Sequence, residues 1–417
     1  MSRFHEILRN RKFFLLWLGQ IISQIGDRLS QMALIGFVYL RAPGSTMEMA
    51  KILSFTIIPV FIIGPIAGVY VDRWDRRRTM FICDFIRAIL VLTIPLFLFY
   101  SKNLSIIYVI IFLTFSIGRF FVPAKLSIVP ELVLKKDLLL ANSLVNTTGM
   151  LAAVFGFGIS GLVVEWLGPK SGFYLDALSF LFSGLCVFFI GKKTVDSIRL
   201  REKNHKLVEV IKKSLLSELK EGILYFIKNK NIRFTAAIIF ILWSALGAIY
   251  VVLIAFIQKN LHSATKDLGL LIMFLGFGLF SGSILYGRFG SRISPYKMIF
   301  SSLIVSGIML IFFASGIQRY PCFLTAGILA FVFGITVAPI MIASNTIVHN
   351  VSENHMHGKI FSSMEIVMHL GFLIFMFISS MLAEIFTPAS ILISVGGIVI
   401  ALGVLTLALH NKIVWLD

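Results

Sequence analysis

Apolar runs about twenty residues long, separated by short polar connections, recur along the whole chain. A helix needs roughly 20 apolar residues to cross the hydrocarbon core of a bilayer. Within that core each backbone N–H and C=O must find its partner inside the protein. The segments that meet this condition are 13–40, 50–71, 79–100, 104–127, 141–167, 172–191, 233–257, 267–287, 297–316, 321–345, 359–386 and 388–410. They predict an all-α membrane protein with twelve transmembrane helices. Composition agrees: 58% of residues are hydrophobic and 14% charged, against roughly 45–50% and about 25% in soluble domains. The run from Phe13 to Leu40 exceeds the apolar core of a cleavable signal and lacks a small-residue cleavage site. It is expected to remain as the first span.

The net charge of +18 could suggest nucleic acid in a soluble protein. Its distribution argues for orientation instead. With the N-terminus, the even-numbered connections and the C-terminus placed in the cytoplasm, about 28 of the 38 Lys and Arg lie inside, as the positive-inside rule requires. Arg28, Arg87 and Arg119 fall within spans. A nucleic-acid partner is therefore not expected. The long charged connection 192–232 divides the chain into a first six-helix bundle, 1–191, and a second, 233–417. Helical spacing from Leu207 to Ile227 predicts an amphipathic helix in that linker. The halves read as diverged repeats. Gly26 follows Asn10 by sixteen residues, as Gly247 follows Asn231, and GVYVDR (68–73) aligns with GRFGSR (287–292).

Between spans two and three stands GVYVDRWDRRR, with six charges from Asp72 to Arg78. A positive-inside anchor accounts for the arginines but not for the two aspartates. Gly64 and Gly68, four apart, are spaced for close helix approach. This stretch resembles the loop signature of the major facilitator superfamily, G-x-L-x-D-R-x-G-R-[KR]. Gly68, Asp72, Arg73, Arg76 and Arg77 match it, and Asp75 replaces the usual Gly. The resemblance implies the major facilitator fold, two pseudo-symmetric six-helix bundles, and a cytoplasmic gate in which Asp72 docks near Gly358–Lys359 at the start of the eleventh span. FFVPAKLSIVPELVLKKDLLLANSL (120–144) is similar to the macrolide-efflux, siderophore-export and lysophospholipid-transport branches. FYLDALSFLFS (173–183) and LKEGILYFIKNKNIRF (219–234) resemble macrolide-efflux proteins. The likeness covers nearly all of 10–235 and is looser beyond. Where the span-five antiporter motif has G-P-x-x-G-G, this chain has GFGISG (156–161), with Phe157 in place of the bending Pro.

Ionisable groups inside spans are costly and mark function or pairing. Gln20, Ser23, Gln24, Asp27 and Gln31 form one polar stripe on span one, expected to line a wet substrate cavity. Asp27 lies about fourteen residues past Phe13, roughly 21 Å along a helix rising 1.5 Å per residue. It is a candidate for proton coupling or substrate binding, against a static ion pair. Arg28 is a poor partner, because adjacent residues on a helix do not face each other. Asp84, Arg87 and Arg119 form an intramembrane ion network, either structural or gating. Glu365 and His369, four apart on span eleven, are a second proton-coupling pair or a satisfied hydrogen bond. Asp176 reads as a helix-start acid. Lys125 reads as a snorkelling lysine, or, as the lysophospholipid branch implies for its Pro-Ala-Lys, a headgroup contact in the substrate cavity.

His349, Glu353, His355 and His357 form a His-rich loop, read as solvated, without the convergent ligands that a metal needs. Cys83, Cys186 and Cys322 show no paired spacing and read as packing residues. No G-x-x-x-x-G-K-[ST] occurs; IGKKT at 190–194 lacks the upstream Gly and the Ser/Thr after Lys192. Neither H-E-x-x-H nor G-x-S-x-G is present. The chain is read as a non-enzyme without cofactor or metal. Forty Phe and fifteen Met suit a plastic apolar cavity. The expected function is secondary, proton-coupled efflux of hydrophobic or amphipathic molecules, macrolide-like drugs among them, by alternating access. The alternatives are a lysophospholipid flippase or siderophore exporter of the same fold, and a membrane sensor or scaffold without transport. A monomer in the bacterial cytoplasmic (inner) membrane, with both termini cytoplasmic, is expected.

Overall fold

The computed structural model describes residues 2–71, 74–100, 105–191, 230–290, 293–351 and 357–413. Among them the chain forms α-helices and one short 3-10 turn, with no strand. In chain order the helices are α1 (Ser2–Arg9), α2 (Arg11–Arg41), α3 (Thr46–Ile62), α4 (Gly64–Val71), α5 (Arg76–Tyr100), α6 (Ser105–Leu132), α7 (Leu138–Leu167), α8 (Pro169–Phe189), α9 (Lys230–Leu261), α10 (Lys266–Phe289), α11 (Pro295–Arg319), α12 (Phe323–Val351), α13 (His357–Leu382) and α14 (Pro388–Ile413). Ten of these are long and apolar enough to cross a membrane. The other two expected spans fall on α2 and on the pair α3–α4. The protein is an all-α membrane protein.

Local chemistry sets the boundaries. Asn10 caps α2: its Oδ1 accepts from the backbone N–H of Lys12 (3.1 Å) and Phe13 (3.3 Å), two of the donors a helix start leaves open. Its Nδ2 donates to the Leu132 carbonyl at 2.7 Å, tying α2 to the end of α6. Span two breaks at Ile63, just before Pro65, which has no N–H to continue the ladder. Asp75, where the family signature has Gly, caps α5 by accepting from the Arg78 N–H at 2.8 Å. Between α7 and α8 the chain reverses at Gly168, whose φ of +82° is open to glycine at no steric cost. Pro169 follows at the first helical position, where its missing N–H is harmless. α7 runs unbroken through GFGISG, where Phe157 stands in place of the proline.

The described helices form two compact units. The first takes the described residues within Met1–Leu34, Ile52–Gly156 and Leu167–Glu221. Here α5 packs on α6 and α8, and α4 on α6. Its core joins Phe13 and Leu16 to Met80, Phe121, Ala124 and Val187. The second takes Ile35–Lys51, Phe157–Trp166 and the described residues within Gly222–Asp417. Here α10 packs on α12, α11 on α14 and α9 on α13, around Ile238, Phe300, Leu303, Ile340 and Val399. Small residues bring these helices close, as membrane packing favours: a Cβ on Gly307 of α11 would lie 2.7 Å from the Gly396 carbonyl of α14.

Two ties inside the second unit involve the early segments it contains. Thr46 Oγ1 donates to the Ser380 carbonyl at 3.0 Å. Glu165, near the end of α7, caps α10: its carboxylate accepts from the N–H of Thr265 (2.7 Å), Lys266 (3.1 Å) and Ala264 (3.4 Å) and from Thr265 Oγ1 (3.1 Å). The linker helix expected within 192–232 and the His-rich loop around 352–356 lie outside the described residues.

Candidate functional site

The polar stripe of span one divides into two faces. Gln20, Ser23 and Ser30 are buried, on the side where Gly19 and Gly26 meet α8. Gln24, Asp27 and Gln31 are half-buried. Open surface along this stripe is thus confined to the second face. Arg28 turns away from Asp27, and its Nη1 donates to Gln31 Oε1 at 2.6 Å.

Asp27 instead meets Arg87 of α5, sixty positions on. Arg87 Nη2 donates to Asp27 Oδ1 at 2.6 Å, with side-chain exposures of 9% for the arginine and 33% for the aspartate. The guanidinium lies 3.9 Å over the Phe180 ring of α8, within cation–π range. Gly118 of α6 leaves room beside it, since a Cβ there would touch Arg87 Cζ at 3.7 Å.

Two further acids act on the same arginine, Asp84 and Asp176. Asp84 sits one turn before Arg87 on α5, fully buried beside Gly184 of α8. Asp176 is buried on α8 and accepts from Ser30 Oγ of α2 and, at 3.2 Å, from Ser179 Oγ. The helix-start reading of Asp176 is corrected here: α8 begins at Pro169, so the acid lies two turns inside the helix. Lys125, half-buried on α6, feels Asp27 electrostatically. Arg119 lies half-buried one residue past Gly118. α2, α5 and α8 thus bring three carboxylates around one buried guanidinium. A single cation neutralises a single carboxylate, and buried charge is tolerated only when paired.

The charged bridge is partly described. Arg76 donates to Glu131 at the end of α6. Arg77 Nε donates to the Val187 carbonyl at 3.1 Å and its guanidinium also reaches the Phe188 carbonyl, both in the last turn of α8. Trp74 stacks on Phe120 with ring centroids 5.8 Å apart. These contacts fasten α5 to α6 and α8 inside the first unit. Gly68 lies on α4. Asp72 and Arg73, and the Lys359 side chain that the gate reading needs, are outside the described residues.

The second unit holds a cavity of about 520 Å³ among α9, α11, α12, α13 and α14. Glu365 and His369 both line it. His369 Nδ1 is 2.8 Å from the Glu365 backbone carbonyl. A carbonyl only accepts, so Nδ1 carries the hydrogen. The His369 ring also lies 5.5 Å from that of Trp243. Neither the cavity nor the pairing of Asp27 with Arg87 has a local sequence signal, since each is made by helices distant in the chain. Among the described residues no cluster of His, Cys, Asp and Glu has the makings of a metal site.

A family model described as "Transmembrane secretion effector" matches residues 5–337. An uncharacterised MFS-type transporter of Bacillus subtilis, YkuC, is 27% identical over 350 residues, covering 81% of this chain and 77% of its own. Macrolide efflux protein A of Streptococcus pyogenes is 23% identical over 377 residues, 89% of each chain. The crystal structure of a bacterial homologue of the iron transporter ferroportin, in its inward-facing state, matches with a TM-score of 0.73 at 14% identity, covering 95% of this chain and 98% of that one. That likeness shows the fold.

Proposed function

The chain belongs to the transmembrane secretion effector family of major facilitator transporters, and from that membership we propose that it exports amphipathic small molecules in exchange for protons at Asp27. The observation that carries this reading is the Asp27–Arg87 pair, with Asp84 and Asp176 buried around the same guanidinium. Intramembrane acids and bases facing a bundle interior are costly and serve ion pathways. Asp27 is the most exposed member of the three acids, so it is the one that meets water or substrate. When ionised, it holds Arg87. When protonated, it releases the arginine to Asp84 or Asp176, and the helices that carry them shift balance. Two discrete pairings of one cation are the kind of bistable element that alternating access requires.

Efflux is the direction favoured by the similarity to macrolide efflux protein A. Arg76 and Arg77 give the inner end of the first unit its rigidity. Gly68, Asp72 and Arg73 then supply the gate. The multi-pass chain lies in the bacterial cytoplasmic membrane with both termini inside.

The test uses inside-out membrane vesicles with an acidic lumen and a labelled macrolide. Wild type should accumulate the drug only while the gradient lasts, and Asp27→Asn should lose that accumulation. Uptake that ignores the gradient, or that survives Asp27→Asn unchanged, would contradict the reading.

A further inference from the structure

Five cations meet at one end of the first unit. Arg9 closes α1, Arg11 and Lys12 open α2, and Lys135 and Lys136 lie in the short 3-10 turn, Lys135–Asp137, between α6 and α7. The positive-inside rule puts cations on one side of a membrane, but it does not require those of separate connections to converge. Two contacts make them converge here. The Asn10 side chain holds the Leu132 carbonyl at the end of α6. Beside it Ile7, Leu8 and Phe13 share one apolar cluster with Leu132, Val133 and Leu138. All five cations are exposed. Among the described residues none of their side chains makes an ion pair. Of the acids on these segments Glu131 is held by Arg76, and Glu6 and Asp137 are too few to balance the rest. α6 and α7 are both long and apolar enough to cross a membrane, so the turn that joins them lies at headgroup depth. Phe14, Leu134 and Leu139, which flank the cations along the chain, are exposed as well. Cations set among open apolar side chains at that depth suit both parts of a phospholipid.

We propose that this patch binds the headgroup of an anionic phospholipid of the phosphatidylglycerol type. The guanidinium and ammonium groups hold its phosphate oxygens by charge-assisted hydrogen bonds. Phe14, Leu134 and Leu139 meet the top of its acyl chains. A zwitterionic lipid carries its own cation beside the phosphate, so a net positive patch selects the anionic one. The connection 192–232 is no rival occupant, since it carries more Lys and Arg than Asp and Glu. The bound lipid ties the start of α2 to the turn between α6 and α7 from outside. This assignment is independent of cargo and of proton coupling.

The full-length chain is reconstituted in phosphatidylcholine vesicles with a trace of photoactivatable phosphatidylglycerol, its diazirine near the glycerol, and adducts are mapped by peptide mass spectrometry. Adducts should concentrate on residues 9–17 and 132–140. Unlabelled phosphatidylglycerol should displace them, and inorganic phosphate at equal ionic strength should not. The quadruple variant Arg11→Gln, Lys12→Gln, Lys135→Gln, Lys136→Gln should cut labelling there about tenfold or more, since each cation near a membrane surface is worth a few-fold. The double variant Lys135→Arg, Lys136→Arg keeps the charge and should label within about twofold of wild type, which separates lost charge from lost folding. Lys297→Gln, which removes an exposed cation from the second unit, should change nothing at the patch. Adducts spread evenly over the chain, labelling untouched by the quadruple variant, or equal labelling by the phosphatidylcholine analogue would overturn the inference. Displacement by inorganic phosphate would assign the patch to a free anion and overturn it too.

Discussion

At the scale of single residues, one arginine organises the first unit. Sequence alone marks Asp27, Asp84 and Arg87 as costly intramembrane charges, because such residues are rare in apolar runs. It does not say which pairs with which. The sequence groups Arg87 with Asp84 and Arg119, whereas the hydrogen bond runs from Arg87 to Asp27 on another helix. Asp176 reads as a helix-start acid because the apolar run suggests a start at residue 172, whereas Gly168 and Pro169 begin the helix earlier. Glycine decides how close α2 and α8 come. A Cβ on Gly26 would overlap Ser179 Oγ and lie 2.5 Å from Asp176 Oδ1. Gly26→Ala should therefore cost about 1–3 kcal/mol, the usual toll of overpacking, and lower the thermal midpoint in detergent. Gly397→Ala is the control: a Cβ there has open space within 4 Å, so the variant should melt no lower than wild type.

At the scale of elements, helix ends and helix contacts carry information that hydropathy does not. The expected spans coincide with helices because a twenty-residue apolar run has few alternatives in a bilayer. Their ties are set by caps between distant segments. Asn10 was marked only as a repeat position, yet it closes both the start of α2 and the end of α6. Glu165 gave no signal at all, being a lone acid near the end of an apolar run. Its carboxylate gathers three N–H groups at the start of α10, where the helix dipole also favours negative charge. Glu165→Gln keeps the size and removes the charge. It should cost about 1 kcal/mol, the typical worth of a helix cap. The thermal midpoint should fall by a few degrees at most, while Glu48→Gln, whose partner is the neighbouring Lys51 on an exposed helix face, should leave it within about a degree.

At the scale of the whole molecule, orientation and coupling are the claims to settle. Cys322 is exposed between α11 and α12, correcting its reading as a packing residue, while Cys83 and Cys186 are buried. Hydrogen bonds from the backbone N–H of Thr325 and Leu324 hold its thiol below the ordinary range. With the N-terminus inside, this connection faces outward. A membrane-impermeant maleimide should label Cys322 on intact right-side-out cells, and Cys322→Ser should abolish the signal. Since the thiolate is the reactive form, labelling should rise with pH and level off at lower pH than for an ordinary cysteine. Labelling only after permeabilisation would reverse the topology. The measurement closest to the central claim compares two assays on the same proteoliposomes: exchange of labelled for unlabelled macrolide without a gradient, and accumulation driven by a pH gradient. Wild type should do both. Asp27→Asn should keep exchange and lose gradient-driven accumulation, because it retains the path and lacks the proton site. Loss of both together, or of neither, would contradict Asp27 as the residue that couples protons to export.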